Sequence, residues 1–289
     1  MKSKKHIDTD LTRLWRRYRR NRLAVFGLCF LCVLILCAVF ANVIAPGGYD
    51  VQNYKIQFTK PCWEHPMGTD YLGRDNLVRM IYGARISLSI GVSTTVLGTA
   101  IAVFIGMLAG FYGGKADNIL MRIMDIFLSI PSILLSIVLA AVFGGGVISM
   151  ILALSLGAIP GVSRLVRAMV ISERDKEYIE VARTSRASDF RIMFRYILPN
   201  ISSSLIVLFT MGVAGGILNA STLSFLGLGA QAPMPEWGKM LSEGRGYIRD
   251  FPYLVLAPGM IIMLTVFSLN MIGDGLRDAL DPRSEEHTS

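Results

Sequence analysis

The sequence contains little charge for its length. Only 17% of its 289 residues are Asp, Glu, Lys or Arg, whereas 53% are hydrophobic. The mean hydropathy is +0.51. This composition is too apolar for a water-soluble domain of this size. It excludes an ordinary soluble protein and indicates an all-α protein that crosses a membrane several times.

Histidine and cysteine are also scarce. His6, His65 and His287 lie outside the long apolar segments, so an intramembrane hydrolase would lack a histidine base beside its nucleophile. Cys29 and Cys32 form a CxxC pair, but no second pair or nearby histidine completes a zinc site. No ionisable residue lies in the middle of a span, which argues against a proton relay. We therefore predict no catalytic residue and no metal site.

The basic excess follows the apolar segments. The formal charge of +8 could indicate nucleic-acid binding, but the Lys and Arg residues lie beside apolar runs rather than among exposed aromatic residues. This distribution is typical of membrane topology, in which basic residues stay in the cytoplasm. We predict no nucleic-acid partner and place both termini in the cytoplasm.

Apolar runs predict six membrane helices. Residues 1–22 form a basic cytoplasmic segment, and residues 23–45 form a retained first span, since about 23 residues at 1.5 Å each cross a core of about 30 Å. An external loop, 46–85, leads to a core, 86–276, with five more spans. The run 126–163 holds two of these, divided at Gly144 to Gly146, and Pro131 and Pro160 should kink them. Residues 173–200 are cytoplasmic, 227–253 external, and 277–289 form a cytoplasmic tail.

Residues 173–200 form the longest charged stretch between apolar blocks of the second half. The spacing of Phe190, Met193, Phe194 and Ile197 predicts an amphipathic helix, preceded by a shorter one and a break near residue 186. Ser188 should cap the second helix, and Pro199 should end the segment. From periodicity alone, an ordinary solvated loop between two spans is an equal alternative.

The sequence EYIEVARTSRASDFRIMFRYILPN resembles the EAA loop of permeases of binding-protein-dependent ABC importers. Glu180, Val181 and Ala182 match the triplet, Arg186 occupies the glycine position, and Pro199 closes the motif. Five further blocks, at 15–27, 65–91, 125–135, 223–241 and 269–283, resemble the second permease of dipeptide, oligopeptide and nickel importers.

The resemblance implies a subunit of an ATP-driven importer in the bacterial inner membrane. Its partners would be a homologous permease, two ATP-binding subunits and an extracytoplasmic binding protein. The chain itself contains no phosphate-binding P-loop, so we expect it to bind no cofactor and to leave ATP and Mg to its partners. Di- or oligopeptides are the expected substrate. Nickel or another small solute is the alternative within the family, and a stand-alone secondary transporter is the alternative outside it.

The resemblance also implies that residues 173–200 form an ATPase-coupling loop. Glu180 would face the ATPase, and Ala182 and Ala187 would allow close approach. Phe190, Met193 and Phe194 could anchor the second helix in a cleft of the ATPase or against the membrane-side helices. The residues assigned to the loop are Glu177, Glu180, Ala182, Arg186, Ala187, Asp189, Phe190, Met193, Phe194 and Pro199. The alternative is that the aromatic stripe packs only on the permease itself. Arg186 departs from the family pattern, because a side chain at a position with positive φ is penalised by about 1 kcal/mol. Either the turn is built differently or the penalty is tolerated.

Other expected sites concern the substrate route. Polar residues within spans could line a pathway, namely Ser129, Ser132, Ser136, Asn219, Ser221, Thr222 and Ser224. Equally, such hydroxyls often bond to a carbonyl one turn back. Contact with a binding protein is expected at Gln231, Pro233, Glu236 and Trp237.

The last residues, 283–289, read RSEEHTS and resemble the translation of a sequencing adapter. The family resemblance stops at about Asp281 to Arg283. We expect these residues to be an assembly artefact rather than a regulatory segment.

Overall fold

A computed structural model describes residues 10–280. The predicted tail beyond residue 280, including 283–289, and the first nine residues lie outside this range. The described chain is helical, without a β-strand between residues 10 and 280. Its helices are α1 Asp10–Tyr18, α2 Arg22–Val39, α3 Ala41–Ile44, α4 Asn76–Tyr112, α5 Gly114–Leu128, α6 Ser132–Val142, α7 Gly146–Arg174, α8 Glu177–Thr184, α9 Asp189–Ile192, α10 Leu198–Phe225, α11 Trp237–Gly244 and α12 Tyr253–Leu280.

Five helical segments of the described chain are long and apolar enough to cross a membrane. They are α2, α4, α7, α12 and the continuous helix Asp189–Phe225, which contains α9 and α10. A sixth crossing exists only if α5 and α6 are counted together, and these two are bent by 83°. The structure therefore supports the predicted number of spans.

The third predicted span differs in form from the expectation. We expected a kinked helix from residue 126, but the chain breaks at Ser129 to Pro131 and α6 has only 11 residues. At 1.5 Å per residue, α6 covers about 16 Å, roughly half of a hydrocarbon core. Pro131 explains the break because its ring cannot continue α5. Pro160 lies inside α7, whose helix continues through it.

The centre of the fold is the pair α4 and α7. A Cβ atom at Gly106 would lie 2.7 Å from the carbonyl oxygen of Ser163, and one at Gly110 would lie 2.9 Å from that of Arg167. Glycine at these positions lets the two helix backbones touch. α10 and α12 pack beside this pair, and α2 packs on α4 and α12.

A buried charge cluster organises the predicted external side. Arg79 donates to Asp70 Oδ2 at 2.6 Å and to Glu243 Oε2 at 2.8 Å. Arg74 donates to the same Asp70 oxygen at 2.7 Å and to Glu243 at 3.3 Å. Both arginines are only 2% exposed. The cluster joins the loop before α4, the first turn of α4 and the helix α11.

Two predicted external loops contain more structure than expected. α4 begins at Asn76, inside the predicted loop 46–85, and Asp75 caps it by accepting from the Val78 N–H at 3.0 Å. The predicted loop 227–253 contains α11, capped by Glu236. Both helices start at an acidic cap that the hydropathy pattern does not reveal.

Candidate coupling site

Residues 173–200, the coupling loop, contain two short helices joined by a tight turn. α8 ends at Thr184 and α9 begins at Asp189. Ser188 caps α9 by accepting from the Arg191 N–H at 3.4 Å, as predicted. The expected break near residue 186 is confirmed.

Arg186 adopts the left-handed conformation of the family's glycine, with φ of 57°. The Ala187 N–H donates to the Ala182 carbonyl at 3.1 Å, and the Arg186 N–H donates to the Arg183 carbonyl at 3.0 Å. This pair of bonds is a Schellman motif, in which the residue after the C-cap takes positive φ. The turn is therefore built in the usual way, and the steric penalty of the arginine is tolerated.

One side of the coupling loop packs on the membrane helices. Ile179, Ile192 and Ile197 are completely buried in a core formed with the ends of α4 and α7. Ala182, at 6% exposure, and Met193, at 5%, belong to the same core. Ala182 and Met193 thus face the permease, and for Met193 this is packing against the membrane-side helices, one of the two placements expected for it.

The opposite side of the loop is exposed and partly apolar. Val181 is 63% exposed, Phe190 68% and Phe194 40%. The rings of Phe190 and Phe194 lie 4.4 Å apart between centroids. Of the other expected contact residues, the exposed ones are Glu177, Glu180, Arg186, Asp189 and Pro199, and Ala187 is half-buried. The predicted amphipathic stripe of Phe190, Met193, Phe194 and Ile197 is therefore divided. Met193 and Ile197 pack on the permease itself, whereas Phe190 and Phe194 are exposed.

Tyr178 ties the start of α8 to the end of α7. Its hydroxyl donates to Glu173 Oε2 at 2.5 Å, and the same carboxylate accepts from Lys176 Nζ at 2.5 Å. Burial and this bond to Glu173 raise the pKa of Tyr178 to about 12. The phenol therefore stays neutral and donating at physiological pH.

Pro199 does not end the segment, contrary to the prediction. The helix continues from Asp189 to Phe225 through a π-helical turn, Met193–Ile197. The Leu198 N–H donates to the Met193 carbonyl, five residues back. Such a wide turn suits a following proline, whose ring would clash with the carbonyl four residues before it in a regular α-helix.

The predicted pathway residues separate into two groups. Ser129, Ser132, Asn219 and Thr222 are exposed, whereas Ser136, Ser221 and Ser224 are buried between helices of this chain. Ser136 donates to the Ser132 carbonyl at 2.9 Å, one turn back. The three buried serines lie between packed helices of this chain, and the pathway role of the whole set stays a prediction.

A cavity of about 650 Å³ lies elsewhere, between α7, α10 and α12. Its lining includes Ser203, Ser204 and Arg277, and no predicted pathway residue. Sequence reasoning missed these two serines because they stand close to the charged stretch. The sequence analysis did not include Val181 among the candidate sites. Its position in the matched triplet, between Glu180 and Ala182, was the signal that could have indicated it.

The predicted contact with a binding protein is also divided. Gln231 and Pro233 are exposed, but Glu236 and Trp237 are completely buried. Glu236 accepts from the N–H groups of Gly238 and Lys239, and Trp237 Nε1 donates to the Met80 carbonyl at 3.1 Å. Burial raises the pKa of Glu236 despite these bonds. Both residues fix α11 and are unavailable to a partner in this structure.

The fold defines a multi-pass helical membrane protein with an exposed loop between two of its spans. A profile described as the binding-protein-dependent transport system inner membrane component matches residues 102–286. A second, the N-terminal transmembrane domain of oligopeptide transport permease C, matches residues 11–61. The chain belongs to this family of inner-membrane transport components.

Similar proteins cover nearly the whole chain. The dipeptide transport system permease protein DppC of Alkalihalophilus pseudofirmus is 44% identical over 93% of this chain and 88% of its own length. The glutathione transport system permease protein GsiD of Pectobacterium atrosepticum is 42% identical over 96% of this chain and 93% of its own length. An inward-facing structure of the MetNI methionine ABC transporter shares the fold, with a TM-score of 0.60 at 20% identity over 71% of this chain and 98% of that one.

Proposed function

We propose that this chain is the transmembrane half-channel of a peptide importer and couples to ATP-binding subunits through the coupling loop. The observation that carries the coupling is the exposed apolar group Val181, Phe190 and Phe194, which we call the docking patch. Exposed aromatic residues on a rigid support are typical of protein interfaces. Glu177 and Glu180 beside the patch can pair with basic groups of a partner.

The support of the docking patch is rigid because its reverse side is core. Ile179, on α8 with Val181, and Ile192, on α9 with Phe190, are fully buried against α4 and α7. A movement of the patch would therefore be transmitted to the membrane helices directly, rather than being absorbed by a flexible linker. ATP hydrolysis in a partner and movement of the permease can be coupled in this way.

The docking patch is tested by Phe190→Ala combined with Phe194→Ala. We expect this variant to enter the membrane normally but to retain less ATP-binding subunit when the complex is purified. The matched control is Trp63→Ala, which removes an aromatic ring that is 98% exposed on the predicted external side. Full retention of the ATPase by the double variant would overturn the assignment of the patch.

The peptide substrate is supported by the relatives, whose names specify dipeptide, di/tripeptide and glutathione transport. The test is uptake of labelled dipeptide, glutathione and Ni²⁺ by proteoliposomes containing the complete importer. We expect ATP-dependent peptide uptake that requires the binding protein and the second permease. Uptake of Ni²⁺ alone would favour the other branch of the family, and flux through this chain by itself would indicate a secondary transporter.

A further inference from the structure

A dense group of arginines precedes the first membrane helix. Six of the ten residues from Arg13 to Arg22 are arginine. Arg16, Arg19, Arg20 and Arg22 are exposed. We call Arg19, Arg20 and Arg22, which follow α1, the arginine turn.

The helix α1 is held firmly on the membrane core beside this turn. Tyr18 is 4% exposed, and its hydroxyl donates to the Ala24 carbonyl at 3.0 Å. Leu14 packs in the same cluster with Ala279 of α12. Gly275 leaves no space for a Cβ atom against Ala24 and Tyr18. α1 is therefore docked on the start of α2 and the end of α12.

The outer side of α1 combines an aromatic ring with charge. Trp15 is 50% exposed, and its ring stacks with Tyr18 at 6.0 Å between centroids. Tryptophan is enriched where a membrane protein meets the headgroup region. An amphipathic helix with arginine and an exposed tryptophan is typical of one that lies in the membrane interface.

The arginine turn directly precedes a candidate membrane span. Leu23 is 57% exposed and Phe26 53% exposed at the start of this span, so both apolar side chains lie on the outer surface of this chain. Arg22 directly precedes them, and Arg19 and Arg20 lie in the short turn between α1 and α2. The guanidinium groups thus adjoin the end of a membrane span, where the headgroup region begins.

The charge of the turn is not neutralised within the described chain. Arg19, Arg20 and Arg22 form no ion pair among the residues whose side chains the structure describes, 14 to 280. The acidic groups of the adjoining helix end are Asp274 and Asp278. The Asp278 carboxylate accepts instead from Asn21 Nδ2, at 3.4 Å. A guanidinium matches a phosphate with two parallel hydrogen bonds, so an anionic headgroup fits this surface.

We propose that Trp15 and the arginine turn form a binding surface for anionic phospholipid headgroups of the adjoining leaflet. Its occupant is the lipid bilayer itself, since the turn adjoins the exposed apolar residues Leu23 and Phe26 at the start of a membrane span. Lipid phosphates bound here fix α1 between the first span and the end of α12. Because the attraction is electrostatic, it weakens with salt.

The test offers equal amounts of dioleoylphosphatidylglycerol and dioleoylphosphatidylcholine to the purified full-length chain in a neutral detergent. Bound lipid is counted by native mass spectrometry. We expect preferential retention of phosphatidylglycerol, and a roughly 25-fold loss of its affinity in Arg19→Gln/Arg20→Gln, at about fivefold per arginine. The charge-conserving variant Arg19→Lys/Arg20→Lys should retain most of the affinity.

Two controls test whether the bound phosphate must belong to a lipid and whether the position of the arginines matters. Lys115→Gln/Arg122→Gln removes two exposed charges from α5 and should leave the affinity within about twofold of the original, since neither adjoins α1. Excess soluble sn-glycerol 1-phosphate should not displace the lipid. The proposal is overturned if Arg19→Gln/Arg20→Gln keeps the selectivity, if the α5 variant loses it equally, or if soluble glycerol phosphate displaces the lipid.

Discussion

At the scale of single residues, Arg186 shows how a local penalty can be carried by its surroundings. The residue is exposed and makes the backbone bond of a Schellman motif with φ of 57°. Its neighbour Ala187 is half-buried against the same core as Ala182. The packed residues on both sides therefore determine the turn, and the side chain at the turn has to accept it.

Arg186→Gly should stabilise the chain by about 1 kcal/mol, because glycine takes positive φ without a steric penalty. Transport should be retained or raised. The matched control is Arg183→Gly inside α8, where glycine should cost about 1 kcal/mol of helix stability. Apparent melting temperatures in detergent and uptake by the full importer would measure both. A clear loss of uptake in Arg186→Gly would show that the guanidinium itself takes part in coupling.

Glu180 tests the charge beside the docking patch. It is exposed on α8 next to Val181, so Glu180→Lys should leave folding intact and repel a basic group of the ATPase. We expect lower substrate-stimulated ATP hydrolysis in the reconstituted complex, with normal membrane insertion. The control is Glu64→Lys in the predicted external loop, which is also exposed. Unchanged stimulation in Glu180→Lys would contradict the contact.

At the scale of elements, the buried charge cluster holds α11 and the external loop on α4. Asp70 accepts from both Arg74 and Arg79 and is 3% exposed. Asp70→Asn would leave two buried guanidinium groups with Glu243 alone. Breaking a buried pair of this kind costs about 3–5 kcal/mol.

We therefore expect Asp70→Asn to lower the apparent melting temperature by several degrees. Asp50→Asn is the matched control, because the Asp50 carboxylate meets Arg74 at 3.2 Å but is 40% exposed, and such pairs contribute at most about 1 kcal/mol. Equal melting temperatures for the two variants would show that the cluster contributes little to stability.

Hydropathy was sufficient to locate most membrane helices, because a long uncharged apolar run has few stable structures other than a helix that spans a membrane. It predicted a kink at Pro131 but not a full break, since residues 126–142 are uncharged on both sides of the proline. Nor could it separate buried from exposed polar residues, because Ser132 is exposed whereas Ser136, one turn later on α6, is buried against α7. The motif indicated the position of the coupling loop. The division of its residues between core and surface depended on contacts with α4 and α7.

At the scale of the whole molecule, the coupling loop and the opposite side of the membrane are the two ends of one helix. Asp189–Phe225 contains 37 residues without interruption. At 1.5 Å per residue it is about 55 Å long, more than the thickness of a bilayer. The part of the docking patch on this helix, Phe190 and Phe194, can thus move the far end of α10 as a lever.

If this helix acts as a lever, greater flexibility at Pro199 and Asn200, where the coupling loop joins α10, should uncouple ATP hydrolysis from transport. Pro199 and Asn200 are exposed, and Asn200 Nδ2 donates to the Tyr196 carbonyl at 2.5 Å across the junction. Pro199→Gly/Asn200→Gly removes this bond and adds backbone freedom without opening the core. We expect ATP hydrolysis to persist while peptide taken up per ATP falls severalfold, whereas Gln231→Gly in the predicted external loop should leave this ratio unchanged. If the junction variant transports with an undiminished ratio, the movement must instead pass through the contacts of α8 with α4 and α7, because these are the remaining rigid connection between the docking patch and the membrane helices.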